Sequence, residues 1–267
     1  MHGDKKKGLG GLVTALRTLT VFPVPGGEGG TFPDSLPWFP CVGLMLGLIH
    51  YFLGVTWMGI LAPEWSWGGA LVLITADIIM TRGLHLDGLA DWADAIGKGG
   101  DRETKLSTMK DPHVGAFGVI ALVTVLLARW SAMERILSQG SILRLVLVMV
   151  LSRDIAVELV ITLPYARSSG QGMGQPFSQG VTQSHRLKAH LLSLGICVLF
   201  GLLGVVSFAM GWALSKAFRS IFKRDFGGFT GDLLGMALVT LEVVLLFLHV
   251  LLFPLSVIYW PWTILLG

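Results

Sequence analysis

Long apolar runs constrain this sequence more than anything else in it. Residues 38–62, 68–81, 114–133, 142–163 and 191–214, and a further run after Asp232, are apolar stretches. Most approach the roughly 20 residues that a helix needs to cross a bilayer core. Composition agrees, with 53% of residues hydrophobic and only 14% charged, against about 25% charged in a soluble domain. The expected fold is all-α: a polytopic integral membrane helical bundle of about six or seven membrane-embedded helices. It is read as one domain over residues 1–267, with residues 1–35 a cytoplasmic or interfacial N-terminal segment.

The net charge of +3 is small and no basic groove for nucleic acid is visible. Lys and Arg instead read as loop charge that orients spans. Lys98, Arg102, Lys105 and Lys110 mark one loop as cytoplasmic, whereas residues 63–66 lack Lys and Arg and suit the opposite side. Trp57, Trp65 and Trp67 stand near that far end, where aromatic side chains favour the interface. At the N-terminus, Lys5-Lys6-Lys7 precedes a semi-apolar run, 12–24, interrupted by Arg17 and ended by Pro23-Val-Pro-Gly-Gly. That pattern fits an amphipathic surface segment better than a signal peptide. Residues 26–31 read as a flexible loop. Cys41 and Cys197 lie in apolar runs without ligand spacing and read as small buried residues.

The run 191–214 is followed by Lys216, Arg219, Lys223 and Arg224. One span would leave this patch outside, against the charge rule, and two short passes within 189–222 would return it to the cytoplasm. About 34 residues at 1.5 Å each cover about 51 Å, short of two full crossings, so a single span and a hairpin both stay open. Pro254 and Pro261 divide residues 253–266 from the preceding helix.

Candidate chemistry gathers where the second apolar run ends, in Arg82-Gly-Leu-His-Leu-Asp-Gly-Leu-Ala-Asp-Trp-Ala-Asp-Ala95. Asp87, Asp91 and Asp94 are spaced i, i+4, i+7, which places them within an arc of about 60° on one helix face. Like charges on one stripe destabilise a helix. A divalent cation relieves that repulsion, and hard oxygen ligands suit Mg²⁺ shared with phosphates. The bland alternative is a solvated acidic face. Asp77 lies deeper in the same run, a costly position that fits either a functional carboxylate or a buried ion pair. Asp154 and Glu158 share a face beside Arg153, which suggests a structural ion pair.

Two loops, Met109-Lys-Asp-Pro-His-Val-Gly-Ala-Phe-Gly118 and Pro164-Tyr-Ala-Arg-Ser-Ser-Gly-Gln-Gly-Met-Gly-Gln-Pro-Phe177, combine glycine with basic residues that could meet phosphate. Gly227-Gly-Phe-Thr-Gly-Asp232 opens the last run, where Thr230 or Asp232 could cap a helix or its free amides could hold phosphate. Glu242 follows inside that run, and His249 reads as packing. Carboxylates at a membrane boundary, basic loops and a second acidic helix start suit metal-assisted transfer of a phosphorus-containing group. A transporter with buried carboxylates is the non-enzyme alternative, although its acids would be expected near mid-bilayer.

At these residues the chain resembles the cobalamin synthase family, the adenosylcobinamide-GDP ribazoletransferases. Gly83-Leu-His-Leu-Asp-Gly-Leu-Ala-Asp-Trp-Ala-Asp94 is similar to the family's acidic signature. Met109-Lys-Asp111 with Gly115-Ala-Phe-Gly118, Pro164-Tyr-Ala-Arg167 with Gly172-Met-Gly174, and Gly227-Gly-Phe-Thr-Gly-Asp232 resemble its later blocks, in order. Pro112-His-Val114 departs from a Ser-Arg-Ile-like stretch and leaves Arg102 and Lys110 as that region's cations. The resemblance implies a Mg²⁺-dependent enzyme of the cell inner membrane, multi-pass, working on the cytoplasmic side. Its partners would be the lipid bilayer, adenosylcobinamide-GDP and α-ribazole or its 5′-phosphate, with no nucleic acid and with a homo-oligomer left open. The products would be adenosylcobalamin or its phosphate and GMP. Asp87, Asp91 and Asp94 would hold the metal and share catalysis with Asp232, a further ligand or base. Arg102, Lys110, Arg167, Gly228 and Thr230 would bind substrate. CDP-alcohol phosphotransferases share Asp87-Gly88-Leu-Ala-Asp91 only up to a missing Ala-Arg, and intramembrane prenyltransferases carry two Asp-rich helices where one is found here.

Overall fold

A computed structural model of the chain describes residues 2–25, 31–167 and 180–252. The N-terminal part holds α1 (His2–Leu19), the short α2 (Phe32–Ser35), α3 (Phe39–Thr56), α4 (Ser66–Thr81), α5 (Leu84–Lys98) and α6 (Arg102–Thr108). The C-terminal part holds α7 (Ala116–Ser138), α8 (Arg144–Thr162), α9 (Gln183–Leu199), α10 (Gly201–Phe226) and α11 (Gly231–Leu251). No strand occurs among the described residues, only an isolated bridge between Tyr165 and Phe229. Loop residues 26–30, the Gly172-Met-Gly174 block and the tail with Pro254 and Pro261 lie outside the described residues.

α8 is the axis of the bundle, and its residues from Arg144 to Val160 are all buried. It runs antiparallel to α11: Arg144 donates to the His249 carbonyl at one end (2.7 Å), and the Phe229 amide donates to the Pro164 carbonyl at the other (2.9 Å). α3 packs on its other side. A Cβ on Gly47 would lie 2.5 Å from the Cα of Val146, so only glycine permits that approach. Because its neighbours enclose α8, it can carry four charged residues that lipid would not tolerate. Among the described residues, the segment 32–61 containing α3, together with α7, α10 and α11, gives four helical stretches apolar and long enough to cross a membrane, or five if α4 and α5 form one broken span. The polytopic helical membrane bundle is therefore observed.

Two breaks shape the rest. Arg82 and Gly83 take left-handed backbone angles in succession (φ 57° and 64°), and Arg82 is the non-glycine residue with positive φ among those described. α5 consequently leaves α4 at 88° and lies across its end. Further on, Phe200 separates α9 from α10, Gly201 has φ 62°, and a Cβ on Gly204 would collide with the Cys197 carbonyl. The run 191–214 is thus the core of a tight antiparallel hairpin, with His190 edge-on to Phe208 at 6.3 Å. This hairpin brings Lys216, Arg219, Lys223 and Arg224 back towards the end of the bundle where α11 begins.

Arg153 does not neutralise its sequence neighbours. It pairs with Glu242 of α11, which also accepts from Ser152 (3.2 Å) and meets Arg129 of α7 (3.3 Å). Arg129 in turn holds Asp77 of α4 at 2.6 Å. All four charged residues are buried and their charges cancel. Asp77 is therefore one end of a neutral group that ties four helices together. Asp154 and Glu158 turn to the hairpin instead. His190 places Nδ1 2.8 Å from Asp154 and Nε2 3.1 Å from Glu158, while Arg186 and Lys216 reach Glu158 at 2.7 and 2.9 Å. The expected ion pairing was right in kind and wrong in partner, because a residue next in sequence on a helix points about 100° away.

Candidate active site

The acidic stripe of α5 meets the start of α11 through a glycine. A Cβ on Gly88 would collide with the backbone oxygen of Asp232 and come within 2.8 Å of its Cα, and His85 packs similarly on Gly235. Two motifs separated by well over a hundred residues are thereby brought into backbone contact. Asp91 feels the charges of Asp87, Asp232, Arg167 and Asp94. Arg167 closes the group, with Nη2 2.8 Å from Asp232 Oδ2. The bridge around Tyr165 and Phe229 sets that distance: the Ala166 amide donates to the Phe229 carbonyl (2.9 Å), and the two rings meet edge to face at 5.4 Å. Asp87 is exposed, and Asp91, Arg167 and Asp232 are half-buried. Arg167 Nε is buried with no hydrogen-bond partner in the protein.

Asp94, the third member of the stripe, is engaged elsewhere. Its two oxygens accept the amides of Gly115 (2.7 Å) and Gly118 (2.8 Å) at the start of α7. A Cβ on either glycine would sit 2.5 Å from that carboxylate, which accounts for both glycines of the second block. A carboxylate at a helix N-terminus satisfies free amides and opposes the helix dipole. Asp94 thus fastens α5 to α7.

Several residues expected to bind substrate also form frame. Arg102 donates to the Ala166 carbonyl (2.8 Å), and its guanidinium lies against Gly227, whose φ of 74° and lack of a side chain admit it. Gly228 is pressed against the Pro164 carbonyl. Thr230 is fully buried and caps α11 by accepting from the Leu233 amide (3.2 Å). Lys110 is exposed in the turn after α6. In the same loop Asp101 caps α6 and its carboxyl is held below the usual value by Thr104, as that of Asp111 is by the His113 amide and ring. Of the site residues expected from sequence, Asp87, Asp91, Asp232 and Arg167 converge, Asp94, Arg102, Gly228 and Thr230 hold them in place, and Lys110 is exposed in the turn after α6. Sequence reading missed the pairing of Asp94 with Gly115 and Gly118, although the two glycines of that block were its visible trace.

Among the described residues no three His, Cys, Asp or Glu side chains are gathered tightly enough to hold a metal ion as they stand. The chemistry of the donor set nevertheless fits a hard divalent cation, because Asp87, Asp91 and Asp232 outnumber the single guanidinium beside them.

The cobalamin-5-phosphate synthase family matches residues 11–250. An adenosylcobinamide-GDP ribazoletransferase of Chlorobium chlorochromatii is 41% identical over 241 residues, covering 88% of this chain and 93% of that protein. A protein of the same name from Prosthecochloris aestuarii is 42% identical (85% and 92% covered), and one from Syntrophobacter fumaroxidans 36% (87% and 95%). No solved structure matches the chain. With the acidic signature on α5 and the Gly-Gly-Phe-Thr-Gly-Asp block leading into α11 beside it, the chain belongs to the cobalamin-5-phosphate synthase family.

Proposed function

We propose that this membrane transferase joins adenosylcobinamide-GDP to α-ribazole, or to its 5′-phosphate, giving adenosylcobalamin, or its phosphate, and GMP. The observation that carries the reading is the backbone contact at Gly88, which sets Asp87 and Asp91 beside the Asp232–Arg167 pair in a chain matched by the family over residues 11–250. A ribose hydroxyl attacks the cobinamide-linked phosphorus. The bond from that phosphorus to the bridging oxygen breaks, and GMP leaves with the bond's electrons. Asp232, oriented by Arg167, takes the hydroxyl proton. Arg167 turns its unpartnered Nε to a phosphate oxygen, where a fixed guanidinium offsets charge on the leaving group. Asp87, Asp91 and Asp94 would hold Mg²⁺, each Asp94 oxygen keeping a lone pair beside the one α7 amide it accepts. When bound, the ion would supply neutralisation and orientation of the diphosphate. Lys98, Lys105, Lys110 and the basic end of α10 flank this end of the bundle, which supports placing the site on the cytoplasmic side of the inner membrane.

The test incubates the purified protein in bilayer nanodiscs with adenosylcobinamide-GDP, α-ribazole and Mg²⁺, and follows GMP and cobalamin. Stoichiometric release of both is expected. Absence of product from folded protein would overturn the activity, and full activity after complete removal of divalent metal would overturn the metal alone.

A further inference from the structure

The outward face of α10 changes character along its length. Val205, Trp212, Lys216, Arg219 and Lys223 fall within an arc of about 60° on that helix. Val205 is 46% exposed and Trp212 53%. Lys216 is partly exposed, and Arg219 and Lys223 are exposed. Read towards the cytoplasmic end, one face therefore passes from aliphatic to indole to cationic. A lipid presents the complementary order, from acyl chain through glycerol to head group.

The upper part of this face is held in place from within. Lys216 Nζ stands 4.8 Å over the Trp212 ring and 2.9 Å from the buried carboxylate of Glu158. Arg186 grips the same carboxylate from α9 at 2.7 Å. Neighbouring cations off the stripe are already paired, Arg224 with Asp225 at 2.8 Å and Lys105 with Asp225 at 3.7 Å. Arg219 and Lys223, on the stripe, have no hydrogen bond or ion pair among the described residues. On α10, uncompensated positive charge thus lies on the face whose apolar continuation points away from the bundle.

We propose that this face of α10 binds the head-group phosphate of an anionic phospholipid of the cytoplasmic leaflet. Lys216 and Arg219 meet the phosphate, Lys223 lies at its aqueous edge, and Trp212 and Val205 lie along the glycerol and the acyl chain. A soluble phosphate would leave the indole and Val205 uncovered, whereas a phospholipid covers the whole stripe. Basic residues at the cytoplasmic surface attract anionic lipid in this way. The site is separate from the Asp87–Asp232 group and does not depend on the proposed reaction.

The test compares the full-length protein in nanodiscs of phosphatidylcholine alone and with phosphatidylglycerol, reading retained lipid by native mass spectrometry and thermal stability in parallel. Arg219→Gln with Lys223→Gln removes the two unpaired charges without touching Glu158. Affinity for phosphatidylglycerol is expected to fall about thirty-fold, with the melting temperature in phosphatidylcholine unchanged. Arg224→Gln, off the stripe, should keep wild-type retention. Equal retention by the double variant and wild type, or an equal loss in Arg224→Gln, would overturn the site. So would displacement of the lipid by millimolar inorganic phosphate, which would mark a site for free phosphate.

Discussion

Two groups of charge lie along α11 and the α4–α5 pair and differ in balance. Asp77 and Asp87 are ten residues apart across the α4–α5 break, as are Glu242 and Asp232 along α11. The deeper pair of carboxylates is met by Arg129 and Arg153 and sealed at zero net charge. The pair nearer the end of the bundle, joined by Asp91, is met by Arg167 alone and is only half-buried or exposed. Desolvation explains the first arrangement, since an unpaired buried ion is strongly destabilising. The second tolerates its excess negative charge because water reaches it, and that excess is what a cation and a diphosphate can use.

The contrast is broken most directly by removing one charge from the neutral group. Glu242→Leu leaves Arg129 and Arg153 sharing Asp77 and should destabilise the protein by about 3–5 kcal/mol. Replacing Asp77 and Arg129 together by Leu keeps the Arg153–Glu242 pair and should cost less than Arg129→Leu alone, a non-additivity readable in unfolding curves. If the single and double variants were equally damaged, the four residues would not act as one unit.

Opposite behaviour is expected from the acidic group. Asp91→Ala or Asp87→Ala should lower turnover by about 10²–10³-fold, the several kcal/mol that a bound metal supplies. Thermal stability should hold or rise, because a like charge is relieved. A variant that unfolded with lost activity would place the stripe with the structural charges. Gly88→Ala tests the joint between motifs. Its Cβ would push Asp232 away by a fraction of an ångström or more, and a misplacement near 1 Å can reduce rate on the order of 10²-fold. Normal rates in Gly88→Ala would mean that α5 and α11 need not touch for chemistry.

What could be read before folding follows the same division. The length of apolar runs located most of the spans and placed Asp77 and Glu242 inside them, and helical spacing put Asp87 and Asp91 on one face, because each is a property of a single stretch. Partners were not legible. Arg153 reaches α11, Asp94 reaches α7, and Arg186, His190 and Lys216 converge on Glu158 from a hairpin whose turn at Phe200 carries no strong sequence mark. The 88° turn of α5 rests on two successive left-handed residues, and only one of them is glycine. The family's glycines gave the best hint, since Gly88, Gly115, Gly118 and Gly227 each mark a close approach by a functional or framing residue.

Arg102 carries the smallest and most discriminating prediction. Read from sequence it is a phosphate ligand; in the fold it lies on Gly227 and donates to Ala166, next to Arg167. Arg102→Lys keeps the positive charge and removes the planar fork, so the two roles separate kinetically. Losing one charge-assisted bond of about 1.5 kcal/mol should loosen the Arg167 loop and lower kcat roughly tenfold with KM for adenosylcobinamide-GDP little changed. A phosphate ligand would instead raise KM when its bidentate contact is lost. A KM effect with intact kcat would move Arg102 from the frame into the acidic site itself and give that site a second cation, narrowing the charge imbalance that separates it from the buried group.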